Sequence, residues 1–182
     1  MSAVIELPAT EVGVDAPKLY EIVNGKMEEK EMAGARHGGV NMRLAIPLGT
    51  FIYAHRLGGI YGPDTTFSIG ANDRMPDIAF VSMTRIPPEG EPRSKWLIAP
   101  DLAVEIISPT DAVDDTTRKI REYFAAGVRQ VWQISAEFRT VMVYHSPTDI
   151  KLLTEEDTLT CDELLPGFTL PLRDVFTLPR PA

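Results

Sequence analysis

The chain has 182 residues, 44% of them hydrophobic, enough to bury one good core with little room for a second ordinary domain, so a single domain over 1–182 is expected. Its 18 basic and 26 acidic residues give a net charge of −8, which argues against coating nucleic acid by bulk electrostatics but leaves room for acidic residues that hold cations. The single cysteine, Cys161, excludes an intrachain disulfide and a cysteine-based zinc cluster, and it fits a reducing compartment.

The N-terminus (MSAVIELPAT) lacks the basic start and apolar middle of a secretion signal, and residues 1–18 read as an extended or partly ordered segment. No apolar run approaches the roughly 20 residues that span a bilayer, so a cytoplasmic protein without a membrane partner is expected. Asn24-Gly25 is the strongest short hairpin signal and predicts two strands, Leu19 to Val23 and Lys26 to Met32. A helix is predicted from about Ala35 to Leu57, where Val40, Leu44, Leu48, Phe51 and Ile52 recur at helical spacing despite Pro47 and Gly49. Short extended segments follow around Ile60 and over Thr66 to Ile69, then a strand at Asp77 to Ser82 and a loop over Ile86 to Arg93.

Leu102 to Ile107 is almost continuously apolar and suits a central strand covered on both faces. Ser108 to Asp111 forms a turn into a helix ending near Ala126, with Gly127 as its cap; Ser108 and Thr110 suit capping better than nucleophilic chemistry. Two strands follow, Val128 to Ile134 with Trp132 packed in the core, and Thr140 to His145. Weaker strands lie near Ile150 to Leu153 and Thr158 to Leu159, and residues 162–182 read as a covering segment or an interface. This order describes an α/β fold, a mixed sheet with helices packed on it and a hairpin in front.

Glu105 is the anomaly, a charged residue inside a buried strand. Such a carboxylate is kept only when paired or liganded. Together with Asp77, which opens the preceding apolar strand, it looks like a metal site. The blander alternatives are a strand-entry turn residue for Asp77 and a buried ion pair with Lys119 for Glu105. No GxSxG elbow supports a serine hydrolase, and His37, His55 and His145 lack metal-ligand spacing.

The series YEIVNGKMEE, RHGGV, MPDIAFVS, PDLAVEIISPTD, DTTRKIREYFAAGVRQVWQI, RTVMVY and LPGFTLPLRDVF resembles the Uma-type family of restriction-endonuclease-like proteins within the PD-(D/E)XK nuclease superfamily. The resemblance covers nearly the whole chain. It implies a restriction-endonuclease-like fold and a nuclease in which Asp77 and Glu105, with the backbone carbonyl of Ile106, hold Mg2+ or Mn2+. The superfamily lysine two residues after the acid is absent, since Ile107 stands there, and relatives shift it to a helix, which here implies Lys119. Its role would be to orient the attacking water and neutralise charge.

Setting helical angles from Val113, Thr117, Ile120 and Phe124 leaves Lys119 flanking the core, free to bend toward the sheet end or into solvent, with Asp115 as a possible surface partner. The resemblance also implies an early acid, best matched by Glu29, with Glu28 as the competing neighbour. His37 would reach phosphate, and Ser135 departs from an acid common in relatives. DNA is the implied substrate, and a homodimer or higher oligomer follows from double-strand cutting with one site per chain. The alternatives are a catalytically silent binding or assembly module, which the missing lysine and acidic charge favour, and a metal-dependent hydrolase of another phosphate ester. Arg36, His37, Arg43, His55 and Arg56, and Arg118, Lys119, Arg121 and Arg129, are the basic groups available to line a groove.

Overall fold

The structure, a computed structural model, describes residues 18–30, 34–108 and 111–178. The expected N-terminal segment up to residue 17, the continuation of the second strand through Met32 and the Pro109–Thr110 part of the turn lie outside the described residues.

Strands β1 (Tyr20–Val23) and β2 (Lys26–Glu29) form the expected hairpin around Asn24 and Gly25, whose φ angles of 51° and 75° are those a two-residue turn with left-handed backbone requires. Helix α1 (Ala35–Ala54) buries Val40, Leu44, Leu48 and Ile52, the stripe the periodicity marks, and it runs through Pro47. It stops three residues short of the predicted Leu57, because Arg56 turns left-handed (φ 55°) and the Leu57 N–H returns to the Ile52 carbonyl.

Six strands form the central mixed sheet, in the order β10-β9-β8-β7-β6-β3: β3 (Gly58–Tyr61), β6 (Ile78–Ser82), β7 (Leu102–Ile107), β8 (Gln130–Ser135), β9 (Thr140–Tyr144) and β10 (Ile150–Thr154). Among these six strands β7 and β8 are the parallel pair, joined by helix α2 (Val113–Ala125). A second sheet, β2-β1-β5-β4, adds β4 (Phe67–Ile69) and β5 (Asn72–Arg74). β5 escapes sequence reading because Asn-Asp-Arg has no strand propensity; pairing with β1 and β4 makes it a strand.

Strand alternation divides the core. Leu102, Val104, Ile106, Trp132 and Ile134 pack with the α1 stripe, whereas Ala79, Val81, Ala103 and Val131 pack with Ile120 and Tyr123 of α2. Glu105 shares the parity of Ala103 and so belongs to the α2 face. The C-terminal segment is core cover: β11 (Thr158–Thr160) pairs with β12 (Thr169–Pro171), and Leu165, Phe168 and Leu170, with Leu172 and Val175 of α3 (Leu172–Phe176), are buried on the α1 side.

The phase of α2 corrects the sequence reading. Val113 is 78% exposed and Thr117 is exposed, so neither belongs to the buried stripe. The inward face carries Lys119, Ile120 and Tyr123, with Thr116 and Glu122 at its margins. A rotation toward Val113 and Thr117 would bury a β-branched first turn but withdraw a tyrosine and the charged groups from their partners. Gly127 (φ 94°) closes the helix as expected, with Gly127 N–H on the Phe124 carbonyl and Val128 N–H on that of Tyr123.

Candidate active site

The antiparallel register of β6 and β7 pairs Ile78 with Val104, and one further step sets Asp77 opposite Glu105. Asp77 continues the ladder by donating its N–H to the Val104 carbonyl (2.9 Å), and its Oδ2 accepts the Ile106 N–H at 2.8 Å. Asp77 is thereby anchored to β7 through both its main-chain N–H and its carboxylate. His37, on the first turns of α1, approaches Oδ2 at 3.3 Å, and Lys30 approaches Oδ1 at 3.4 Å while donating to the Met75 and Pro63 carbonyls.

Glu105 is held by α2. Lys119 Nζ donates to its Oε2 at 3.0 Å, and the Tyr123 hydroxyl donates to Oε1 at 2.5 Å. Lys119 also lies 3.3 Å from Oε1 of Glu21, a buried residue of β1. Glu21 is clamped in turn, its Oε1 accepting the Met75 N–H and its Oε2 accepting from Arg74, each at 2.8 Å. Arg74 completes the chain by donating to Glu122 Oε2 from Nε and a terminal nitrogen, at 2.9 and 2.6 Å.

Glu21, Lys30, His37, Arg74, Asp77, Glu105 and Lys119 line one open cleft of about 610 Å³ between β1, β2, α1, β7 and α2. Asp77, Glu105 and Lys119 come together in it, and Ile107, where the superfamily lysine would stand, lies on the same wall. The ammonium arrives at Glu105 from the helix. Glu29 sits at the rim, paired with Lys18 at 2.8 Å, and Glu28 lines the same rim. The hairpin acid that reaches Lys119 is Glu21, which sequence reasoning missed. The available signal was parity, since in Tyr20–Val23 the buried Val23 puts Glu21 on the interior face.

Of the candidate basic groups, Arg36, His37, Arg118 and Lys119 line the cleft, whereas Arg43 donates to the Val175 carbonyl and Arg129 to that of Glu163. His37 faces Asp77. Asp115, the proposed surface partner of Lys119, instead pairs with Arg118 at 2.9 Å.

Burial presses every one of these carboxylates toward the neutral form, and the partners decide the sign. Burial raises Glu105, outweighing the lowering by Lys119, and the neighbouring Asp77 adds to the rise. For Asp77 burial also raises, but the His37 hydrogen bond, the Lys30 charge and the Ile106 N–H hold it below the usual carboxylate range. Glu21 likewise ends lowered, burial being overcome by Lys119, the Met75 N–H and Arg74. Burial would lower Lys119, yet Glu105 and Glu21 raise it above the ordinary lysine value, so it stays an ammonium ion.

The His37 pair predicts a pH signature. Its hydrogen bond to Asp77 raises the imidazole from 6.5, and Asp77 is lowered from 3.8. The Asp77 part of the stabilisation is present above 3.8 and is lost as pH falls through its lowered value; the His37 part is complete below 6.5 and lost as pH rises through its raised value. In thermal melts, His37→Ala is expected to destabilise the protein clearly at about pH 5.5 and much less at about pH 9.

A family model described as "Putative restriction endonuclease", Uma2, matches residues 6–173. The chain therefore belongs to the Uma2 family of restriction-endonuclease-like proteins. Among solved structures, it is similar to one described as a putative nuclease belonging to DUF820 from Anabaena variabilis, with a TM-score of 0.78 and 23% identity over 86% of this chain and 89% of that one. At that identity the likeness establishes the fold, a mixed sheet flanked by helices of the kind the sequence implied. A search of curated proteins gave no match.

Proposed function

We propose that the chain is a divalent-cation-dependent endonuclease that hydrolyses DNA phosphodiester bonds. The observation that carries this reading is the convergence of Asp77, Glu105 and Lys119, from a strand entrance, a central strand and a helix, in one open cleft. Family membership supports it. Among the described residues no group of three or more ligand-forming side chains gathers around a point. Mg2+ needs less, since it keeps several waters and takes one or two carboxylates together with substrate phosphate, and two hard oxygen donors at the mouth of a cleft fit that chemistry. Asp77 and Glu105 would hold the ion, with the Ile106 carbonyl as the expected third protein donor.

Bound there, Mg2+ or Mn2+ would supply charge stabilisation at the phosphate and an activated water. Lys119, held protonated, serves as an electrostatic group that orients water and offsets charge, not as a base. Glu21 keeps that ammonium at the cleft wall. Double-strand cleavage by one site per chain would call for a homodimer or higher oligomer.

One observation favours a second reading, a binding module without catalysis: every oxygen of Asp77 and Glu105 already has a protein partner. Incubation of the protein with supercoiled plasmid, linear duplex and single-stranded DNA in Mg2+, Mn2+ or EDTA separates the two. Cleavage that needs the cation and disappears in Asp77→Asn is expected. Intact DNA under all conditions, with no cation uptake, would leave the binding module.

A further inference from the structure

Tyr123 is fully buried, sits on the inward face of α2 and spends its hydroxyl on a single atom, Oε1 of Glu105. Among the described residues the other oxygen, Oε2, is held by Lys119, which has a second acceptor in Glu21 at 3.3 Å. The two oxygens of Glu105 are therefore unequal. Oε1 is committed to a rigid neutral donor packed among Ile120, Val128 and Val131, whereas Oε2 can be released to a cation because the ammonium beside it has Glu21 to turn to. A hydrogen bond from a buried neutral donor to a carboxylate is not readily surrendered, since breaking it leaves the hydroxyl unsatisfied.

Ions differ in what they ask of a carboxylate. Mg2+ takes a single oxygen from each in a tight octahedron, whereas Ca2+ is larger, accepts more ligands and gains from a carboxylate that offers both oxygens. Resting on the reading of Asp77 and Glu105 as a cation site, we infer that Tyr123 is a positioning residue that withholds Oε1 of Glu105, so that the site presents one oxygen and selects Mg2+ over Ca2+.

The test is equilibrium titration of the DNA-free protein with Mg2+ and with Ca2+, alongside thermal melts, for wild type, Tyr123→Phe and Glu105→Gln. Tyr123→Phe is expected to shift the ratio of the two affinities toward Ca2+ by about fivefold to tenfold, the worth of one such hydrogen bond. A tyrosine that merely packs the helix would lower both affinities together and leave the ratio unchanged, which would overturn the inference. Glu105→Gln is the separate control on the underlying reading: if it binds both ions as wild type does, the cation site itself is wrong. Should Tyr123→Phe melt too low to titrate, Tyr123→Met asks the same question, because a flexible apolar side chain fills the buried site without supplying a hydroxyl. The same shift toward Ca2+ is expected there, and an unchanged ratio would overturn the proposal.

Discussion

Glu105→Gln is expected to reduce the proposed cation-dependent DNA cleavage by roughly a hundredfold to ten-thousandfold, the equivalent of losing several kcal/mol of the charge stabilisation a bound metal would supply. The substitution keeps the shape of the side chain, and its amide oxygen can still accept the Tyr123 hydroxyl. Lys119 keeps Glu21 at 3.3 Å. What disappears is the negative charge, in a site where burial already works against holding it. The amide nitrogen then faces Lys119, donor against donor, so the variant should fold with a lowered melt, the ammonium turning to Glu21, while failing to cut in single-turnover plasmid cleavage across a Mg2+ and Mn2+ series. Activity within tenfold of wild type would remove Glu105 from the proposed cation site. Lys119→Met should also lose activity, but through a different route, since it leaves the buried Glu105 carboxylate without its cationic partner and favours its protonated form.

The acids were legible because a charge inside an apolar strand has few physical excuses, and the strand around Glu105 is read easily from Leu102 to Ile107. Their adjacency was not. It depends on the register that pairs Ile78 with Val104, which no local pattern announces. Lys119 could be singled out only through the family resemblance, and helical periodicity then set it beside the core instead of on the inward face, because Val113 and Thr117 look more apolar than the lysine and tyrosine that are in fact turned inward. Apolar periodicity finds the buried face of a helix when the core is apolar; α2 lies against a sheet end where Glu105, Glu21 and Arg74 replace part of that core. Glu21 was hidden for the same reason. In a four-residue strand with one more acid-rich strand beside it, polarity reads as solvent exposure, and only the burial of Val23 two positions on identifies the interior side. Arg74 belongs to a strand that exists only because its neighbours pair with it.

Arg74 ties those hidden residues together. Its side chain is 4% exposed, and it is the shared donor for Glu21 and Glu122. Arg74→Leu keeps much of the volume but leaves two poorly exposed carboxylates with reduced compensation, and breaking a buried pair from one side costs about 3 to 5 kcal/mol. For a chain of this size that corresponds to a fall in melting temperature of roughly 6 to 20 °C. The pH dependence identifies the cause. Glu21 titrates below 4.5 in the folded protein, so its stabilisation is present above 4.5 and lost as pH falls through the lowered value. Removing Arg74 takes away part of what holds Glu21 ionised, so the deficit should be largest near neutrality and shrink as the acid range is entered and both proteins protonate the group. A deficit that stays constant from neutrality down through the lowered value of Glu21 would assign the loss to packing alone. Arg74→Lys should fall between the two, because a single ammonium cannot reproduce a fork that reaches β1 and α2 together. Since Glu21 is also the second acceptor for Lys119, the same variant links stability to the site: a melt that recovers with lysine while cleavage does not would mean that the geometry of Glu21, beyond its charge, is what keeps the ammonium at Glu105.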